Sequence, residues 1–468
     1  MITEFVKQVH AGEIDIVEHT EKVLAELARL DEEYHYFTAI TPELARQQAK
    51  RLARDPRGML AGIPVSVKDN ICVRGVESRA GSRILSGYRP VFHATAVERI
   101  IREGGIIVGK TSQDEFGFGG FSANTGLGFP VPRNPFDRER SCGGSSGGAA
   151  GITQKSSFPH LALAESTGGS IVNPASFCGV PGLCPTYGRV SRYGLIDYAN
   201  SLDKIGPMAK QVADLAYALE AIAGFDAKES TSADAPAERY HEYLGLNVKG
   251  MKVGIIQESL QEGVDQAVQD RFMDAVVLLE SNGAKVKRIS LPATVKYGLA
   301  VYYLLATSEA STNLAKYCGI RYGKGEELKG GFNDYFSAVR SRHLGPEAKR
   351  RILLGTFARM SGFRDAYYLK AAQVRTKIIN EYQKHFSKLD ILISPTVPIL
   401  PPRFEEIEKL TLLQNYMIDN LTVGPNLAGL PHLNVPIGYK GRLPIGMLLI
   451  ANHFEEGKLL QAGSSLEQ

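Results

Sequence analysis

The residues best suited to chemistry lie in two stretches rich in serine and glycine. The first reads GGSSGG over residues 143–148, and the second reads STGGSI over residues 166–171. Glycine allows close backbone approach, and consecutive N–H groups at such a turn can converge on a single anionic oxygen. A flexible linker or a simple tight turn has a similar composition. Either stretch taken alone therefore leaves both a catalytic and a structural interpretation open.

A serine nucleophile requires a base, and the usual imidazole is missing from this part of the chain, because no histidine lies between His93 and His160. A lysine can accept a serine proton when burial or a neighbouring cation lowers the lysine pKa toward neutrality. Lys68 is a candidate because it lies in the apolar segment GIPVSVKDN, residues 62–70. A solvated charge at a strand edge explains the same pattern equally well.

Composition narrows the class of protein. The chain has 468 residues, of which 44% are hydrophobic, and a formal net charge of +4. It can bury a large core, and no run of five like charges indicates a nucleic-acid arm or a basic membrane patch. The N-terminus, MITEFVKQVHAGEIDIVEHTEKVLAEL, predicts an acidic amphipathic helix, and no window approaches the roughly 18 apolar residues of a membrane span. We therefore expect a cytoplasmic globular protein.

The five cysteines are odd in number and include no C-x-x-C pair. This pattern is typical of free buried thiols in a reducing compartment, and it predicts neither disulfides nor a zinc site. Cys142 precedes the first glycine pair and is a rival nucleophile there, but a small buried hydrophobic residue is the favoured interpretation. No metal site is expected.

Apolar runs of strand type alternate with helical stretches along the chain. Strand patterns cover residues 61–73, 105–112, 251–259, 285–292, 389–399, 432–439 and 444–451. Helical patterns cover residues 93–105, 265–284, 346–362 and 363–386. The alternation predicts an α/β fold, and the one polar segment that resembles a linker, 226–240, has the same pattern on both sides. We therefore expect one large domain.

Several longer motifs resemble the amidase signature family. They are GIPVSVKDN, SCGGSSGG, NLAGLPHLNVP and STGGSIVNPASFCGVPGLCPTYGRVSRYG, and the resemblance covers essentially the whole chain. It implies a single α/β domain over residues 1–468, with a central mixed β-sheet covered by helices on both faces. A helical segment at about 1–55 would precede a catalytic core at about 56–225, and the remainder would complete the sheet and the substrate pocket.

The resemblance also implies a Ser-Ser-Lys triad. Lys68 corresponds to the base, Ser145 to a proton relay on a cis peptide bond with Gly144, and Ser170 to the acyl nucleophile. Backbone N–H groups of a short turn would hold the oxyanion of the intermediate. The residues of that turn are Thr167, Gly168 and Gly169.

Three further segments narrow the resemblance to the branch of the family that serves tRNA-dependent amidotransferases. They cover residues 190–210, 302–323 and 347–376. The implied substrate is glutamine, and the residues that would bind it are Tyr302, Arg351 and Asp419. Arg351 would pair with the α-carboxylate and Asp419 with the α-ammonium group. A surface charge on a helix, beside Arg350, is the alternative for Arg351.

The implied function is that of the glutaminase subunit of a tRNA-dependent amidotransferase. Attack on glutamine gives a glutamyl-enzyme and ammonia, and the ammonia converts Glu-tRNA(Gln), Asp-tRNA(Asn) or both. The implied partners are subunits B and C of a heterotrimer, and the mischarged aminoacyl-tRNA would bind through the partner. No cofactor is expected in this chain, since ATP and Mg would belong to the partner subunit.

The sequence departs from the family pattern beside the nucleophile. It reads AESTGGS where the family commonly has GSDTGGS, so Ser166 replaces an aspartate, and Val172 replaces an arginine. These departures leave Lys68, Ser145 and Ser170 intact. Two alternative functions stay open: a stand-alone amidase that acts on another carboxamide, and a non-catalytic scaffold that keeps the fold to bind partners.

Overall fold

One mixed β-sheet forms the centre of the fold in the computed structural model, which describes residues 1–261 and 263–467. Within those residues the sheet has eleven strands, which are β1 (Phe37–Ile40), β2 (Pro64–Lys68), β3 (Ile106–Thr111), β4 (Leu161–Ser166), β5 (Gly182–Cys184), β6 (Lys204–Ala209), β7 (Lys252–Ile256), β8 (Lys285–Ile289), β9 (Ile391–Pro395), β10 (His432–Lys440) and β11 (Leu443–Ala451). Their order across the sheet is β1-β3-β2-β4-β6-β5-β10-β11-β9-β7-β8.

Helices flank this sheet. The α-helices of the described residues are α1 (Ile2–His10), α2 (Ile16–Tyr34), α3 (Pro42–Leu52), α4 (Thr95–Arg102), α5 (Gly147–Lys155), α6 (Val172–Cys178), α7 (Val212–Ile222), α8 (Gln266–Ser281), α9 (Pro292–Asn313), α10 (Phe332–His343), α11 (Pro346–Arg359), α12 (Lys370–Phe386), α13 (Phe404–Ile407), α14 (Leu412–Tyr416), α15 (Val423–Leu427) and α16 (Glu456–Ser464). A π-helical turn, Asp365–Leu369, leads directly into α12. The predicted α/β fold with a central mixed sheet is confirmed.

The seven predicted strand segments each contain a strand, namely β2, β3, β7, β8, β9, β10 and β11. The N-terminal prediction is wrong in two details. The amphipathic pattern forms two helices, α1 and α2, because the chain turns at Gly12 with a φ of +73°. The segment 1–55 also supplies β1, which pairs antiparallel with β3 at the edge of the sheet.

The central strands bring two candidate segments to the same edge of the sheet. β2 lies between β3 and β4 and is parallel to both, with Val67 opposite Leu163. The carboxyl ends of parallel strands meet at one edge, where ligands commonly bind in α/β folds. Lys68 ends β2 at this edge, and the turn 167–170 follows β4 there and leads into α6.

Four of the five cysteines are buried and all five are free thiols, as the sequence predicts. Cys142 has no exposed surface and packs in the hydrophobic core, which agrees with its interpretation as a small buried residue. Over residues 1–261 and 263–467, no three His, Cys, Asp or Glu side chains are grouped so that they could hold a metal ion. No helix in the same residues is long and apolar enough to cross a membrane.

Candidate active site

Lys68 is buried, and its amine contacts three oxygen atoms. Its Nζ lies 2.8 Å from Ser145 Oγ, 2.9 Å from the main-chain oxygen of Glu165 and 2.9 Å from Glu165 Oε2. Because 0% of the Lys68 side chain is exposed, its interpretation as a solvated strand-edge charge is wrong. Glu165 is equally buried, so a carboxylate lies against the lysine that the sequence analysis assigns as the base.

Ser145 reaches Lys68 from the loop that precedes α5. The Gly144–Ser145 peptide bond is cis, as the family resemblance implies. Two backbone hydrogen bonds hold the loop: Asp114 N–H donates to the Ser145 carbonyl at 3.1 Å, and Gly144 N–H donates to the Gly120 carbonyl at 2.8 Å. The contact between Ser145 and Lys68 thus rests on a backbone that is fixed on both sides of the serine.

Ser170 lies in the turn between β4 and α6, with 7% of its surface exposed. Within the described residues, the backbone N–H groups of Gly168, Gly169 and Ser170 donate no hydrogen bond. Three consecutive donors of this kind form a site suited to an anionic oxygen. Ser170 Oγ makes no hydrogen bond to Ser145 in that part of the chain. The structure therefore contains the contact between lysine and relay, and not a contact between relay and nucleophile.

Tyr302 lies against this turn from α9. A Cβ atom on Gly168 would lie 2.5 Å from Tyr302 Cζ, which is closer than carbon atoms approach without bonding. Glycine is therefore required where the tyrosine ring packs on the turn. Tyr302 itself is only 3% exposed, so it forms an inner wall beside the free N–H groups.

Arg351 lies on α11 and is buried, with 2% of its surface exposed. Its interpretation as a surface charge is therefore wrong, although that description fits its neighbour Arg350, whose side chain is 43% exposed. Arg351 Nε donates to Glu347 Oε1 at 2.8 Å, and Nη1 donates to the Tyr198 hydroxyl at 2.6 Å. The aromatic rings whose centres lie 5.1 to 5.6 Å from its Cζ are those of Phe118, Tyr198, Tyr303 and Tyr416.

Asp419 contacts the hydroxyl of Tyr303, whose ring lies against Arg351. Asp419 Oδ2 accepts from that hydroxyl at 3.1 Å, and Oδ1 accepts from Asn173 Nδ2 at 2.8 Å. Asn173 N–H also bonds the Gly169 carbonyl at 2.8 Å, which connects the carboxylate to the glycine turn. Burial raises the pKa of Asp419 to about 6. Asp419 thus borders the turn that carries the candidate nucleophile, and the buried cation Arg351 is connected to Asp419 through Tyr303.

The two noted departures from the family pattern do not touch these groups. Ser166 ends β4 opposite Lys204, and its Oγ has no hydrogen-bond partner in the described residues. Val172 begins α6 and packs in the hydrophobic core. The departure that touches Lys68 is Glu165, which the sequence interpretation missed. Its signal is a charged residue inside the otherwise apolar strand LALAES.

The sequence interpretation also missed the residues that hold the charged pair in place. It named Tyr302, whereas the neighbouring Tyr303 bonds Asp419 and packs on Arg351. Glu347 lies one helical turn before Arg351 on the same face of α11, and this spacing of four residues is the sequence signal that could have identified it. No comparable signal marks Asn173.

The fold and the motifs define the class of the protein. The model of the amidase family, described as Amidase, matches residues 18–460. This match covers most of the chain, so the chain belongs to the amidase family and is an enzyme of that family.

Particular members of the family are similar to this chain over its whole length. It is 42% identical over 474 residues to the A subunit of a glutamyl-tRNA(Gln) amidotransferase from Geobacillus sp. (strain WCH70), and the match covers 100% of this chain and 96% of the relative. The crystal structure of the corresponding A subunit from Thermotoga maritima, also of a glutamyl-tRNA(Gln) amidotransferase, matches with a TM-score of 0.77 at 35% identity, over 95% of this chain and 90% of the other. A peptide amidase from Stenotrophomonas maltophilia matches with a TM-score of 0.82 at 28% identity, over 100% and 96%.

Proposed function

We propose that this chain is the glutaminase subunit of a tRNA-dependent amidotransferase. The observation that carries the proposal is a pair of buried opposite charges: Asp419 bonds Asn173 beside the turn of Ser170, and Arg351 lies against the ring of Tyr303, whose hydroxyl bonds Asp419. Glutamine has an α-ammonium and an α-carboxylate group, and a buried site for it needs one anion and one cation. A simple carboxamide has neither group. The similarity to A subunits of glutamyl-tRNA(Gln) amidotransferases, at 42% and 46% identity, supports the same substrate.

Ser170 is the nucleophile in this proposal. Its hydroxyl attacks the side-chain amide carbon of glutamine while its proton passes to Ser145, and the Ser145 proton passes to the neutral amine of Lys68. When the tetrahedral intermediate collapses, the C–N bond breaks and Lys68 returns the proton through Ser145 to the nitrogen, which leaves as ammonia. Water then attacks the glutamyl ester through the same relay and releases glutamate.

The turn of Thr167, Gly168 and Gly169 holds the oxyanion. The free N–H groups of Gly168 and Gly169, together with that of Ser170, support this role for the turn, because they are fixed before the reaction begins. A donor of this kind stabilises the transition state by about 3–4 kcal/mol in other acyl-transfer enzymes.

Arg351 and Asp419 fix the amino-acid end of glutamine. The guanidinium of Arg351 pairs with the α-carboxylate, and the carboxylate of Asp419 pairs with the α-ammonium group. Tyr302 supplies the wall that packs on Gly168 and limits where the side-chain amide can lie. Together these contacts hold the amide carbon against Ser170, which converts binding energy into orientation.

Ammonia released at this site requires an acceptor elsewhere. We expect that acceptor on subunits B and C, which would bind the mischarged aminoacyl-tRNA and use ATP and Mg to activate it. The acceptor would be Glu-tRNA(Gln), Asp-tRNA(Asn) or both. The amidated aminoacyl-tRNA is used in translation, so we expect the chain in the cytoplasm.

The test is Ser170→Ala in the complete amidotransferase. Glutamine-dependent amidation should fall by at least about 1000-fold, because the glutamyl ester cannot form. Amidation with added ammonium should stay close to the wild-type rate, because ammonia enters after this step. The matched control is Ser157→Ala, since the Ser157 hydroxyl bonds Glu26 at the protein surface, and both activities should survive it.

Three other outcomes contradict the proposal in different ways. If Ser170→Ala removes both activities together, Ser170 is a structural residue. Full activity of the isolated chain toward a carboxamide without α-groups would identify a stand-alone amidase. A complex that uses ammonium, while the wild-type chain hydrolyses no amide, would identify a non-catalytic scaffold.

A further inference from the structure

The side chain of Glu165 bonds three residues of the site, although Glu165 is not a member of the Ser-Ser-Lys triad. Its Oε2 accepts from Lys68 Nζ at 2.9 Å and from Asn70 Nδ2 at 3.0 Å, and its Oε1 accepts from Thr167 Oγ1 at 2.8 Å. The side chain is 1% exposed. The family motif GSDTGGS has serine where this chain has Glu165. A buried, fully bonded carboxylate against the candidate base is therefore a feature of this chain that needs an explanation.

The contacts of Thr167 distinguish the roles of Glu165 and Asp203. The Thr167 hydroxyl lies 2.8 Å from Glu165 Oε1 and also 2.8 Å from Asp203 Oδ1. One hydroxyl has a single proton to donate, so one of the two carboxyl groups must itself donate to Thr167 Oγ1. Glu165 has the amine of Lys68 as a partner at 2.9 Å, whereas no lysine or arginine bonds Asp203 in the described residues, and burial holds the pKa of Asp203 well above its ordinary value. We therefore assign Asp203 as the donor to Thr167 Oγ1 and Glu165 as the acceptor.

The three contacts of Lys68 Nζ also determine how the lone pair and the two N–H groups of a neutral amine would be oriented. An amine has two N–H donors and one lone pair, and the lone pair must face Ser145 Oγ if it is to accept the proton of the relay. The two remaining partners are the main-chain oxygen and Oε2 of Glu165. Both acceptors that orient the amine therefore belong to one residue.

We infer that Glu165 is a positioning residue of this site, which aims the lone pair of Lys68 at Ser145 and sets the pH range in which Lys68 can accept a proton. The inference rests on the proposed function only in taking Lys68, Ser145 and Ser170 as the reacting chain. It does not depend on glutamine being the substrate.

The charge of Glu165 acts in a defined direction. A carboxylate in contact with a lysine favours the ammonium form over the neutral amine, and only the neutral amine can act as the base. The carboxylate therefore moves the acid limb of the reaction toward higher pH. Of the other charged or titratable groups, Asp114 lies near Lys68, and Cys184 and Asp203 lie near Glu165. Among the described residues, none of these three bonds Lys68 Nζ.

The experiment measures the reactivity of Ser170 without glutamine. Phenylmethanesulfonyl fluoride reacts with an activated serine: the Ser170 Oγ–S bond forms, the S–F bond breaks and fluoride leaves, while the serine proton passes through Ser145 to Lys68. The rate of labelling is followed by mass spectrometry of the Ser170 peptide from pH 5 to pH 10, for the full chain alone and assembled with its partners. Wild type, Glu165→Gln and Glu165→Ala are compared.

Glu165→Gln keeps an oxygen acceptor and removes the charge, so its acid limb should move at least about 1 pH unit lower while its plateau rate stays within about threefold of wild type. Glu165→Ala removes the acceptor as well, so its limb should move in the same direction and its plateau should fall about tenfold below that of Glu165→Gln. Glu165→Ser is the second uncharged variant, with the residue of the family motif, and should show the same limb as Glu165→Gln.

Glu115→Gln is the matched control, because Glu115 is another buried carboxyl group but bonds Ser82 and Gly345 rather than Lys68. Its acid limb should stay at the wild-type position. An unmoved or higher limb in both Glu165→Gln and Glu165→Ser overturns the inference about charge. Equal plateaus for Glu165→Gln and Glu165→Ala overturn the inference about orientation.

A glutaminase assay on the same proteins separates this inference from the proposed function. If Ser170 is labelled with the expected profiles but glutamine is not hydrolysed, the glutaminase proposal fails and the role of Glu165 stands. If glutamine is hydrolysed but the variants keep the wild-type profile, the role of Glu165 fails alone. If wild-type Ser170 is not labelled and glutamine is not hydrolysed, both fail.

Discussion

The base side of the site, meaning Lys68 and Ser145, and the clamp side, meaning Arg351 and Asp419, are held by different kinds of structure. Lys68 ends β2, a strand with neighbours on both edges, and Ser145 lies in a loop fixed by backbone hydrogen bonds. Short polar contacts then hold the side chains to each other. Backbone position therefore determines the geometry of the base side.

The clamp side depends on helix packing instead. Arg351 lies on α11, which approaches α9 so closely that a Cβ atom on Gly355 would lie 1.8 Å from the Thr307 carbonyl oxygen. The contacts of the guanidinium are mostly with aromatic rings, and those of Asp419 are with two side chains. Because of this difference, we expect changes on the base side to stop the reaction and changes on the clamp side to weaken the binding of glutamine.

Lys68→Arg should cause the largest loss of glutaminase activity and should leave the binding of glutamine intact. A guanidinium stays protonated and cannot accept the proton of Ser145, so kcat for glutamine should fall by at least about 1000-fold. The dissociation constant of glutamine, measured by calorimetry, should change less than about threefold, because the clamp does not contact Lys68.

Lys110→Arg is the matched control, since Lys110 is also fully buried but bonds the carbonyl groups of Asp69 and Ile71. The folded fraction of that variant should keep its glutaminase activity. If Lys68→Arg is active and Lys110→Arg is inactive, the base is Lys110 and not Lys68.

The same contrast explains which parts of the site could be predicted from the sequence. Lys68 lies in an apolar strand pattern, and Ser145 and Ser170 lie in glycine turns, so local sequence identifies all three as candidates. The residues that surround these three side chains depend on the order of the strands in the sheet, which local sequence patterns do not show. This is why the burial of Lys68 stayed open and the contact with Glu165 was missed.

The clamp could not be predicted from local sequence at all. Arg351 and Arg350 are adjacent in one helical pattern, and only packing against aromatic rings from distant segments separates the buried one from the exposed one. Family resemblance supplied this assignment. Within the fold, the strands that were not predicted are β1, β4, β5 and β6, and of these β5, Gly182–Cys184, is too short to show a strand period.

Arg351→Ala and Asp419→Ala should cause the next largest loss of activity with glutamine. Each removes one charge-assisted contact with glutamine and leaves a charged group of the ligand unpaired, so kcat/KM should fall about 30- to 1000-fold. Ammonium-dependent amidation should barely change. Arg271→Ala is the control, because Arg271 pairs with Asp274 at 2.9 Å on an exposed part of α8, away from the clamp. Unchanged glutamine kinetics in both clamp variants would contradict the assignment of glutamine as the substrate.

The smallest predicted effect is a pH dependence of binding that belongs to Asp419 alone. Burial raises the pKa of this carboxyl group to about 6, so it is ionised at pH 7 and mostly protonated at pH 5. The protonated form offers no charge to the α-ammonium group, and glutamine should therefore bind more weakly as the pH falls through 6, whereas it should bind equally well at pH 7 and pH 8. Calorimetry on the Ser170→Ala chain separates binding from catalysis, and there the dissociation constant should rise about tenfold between pH 7 and pH 5.

Adding Asp419→Asn should make binding weak at every pH and remove this dependence. A tenfold change that persists in the double variant would assign the titration to another group, and the clamp side would then contain a second ionisable contact with the ligand.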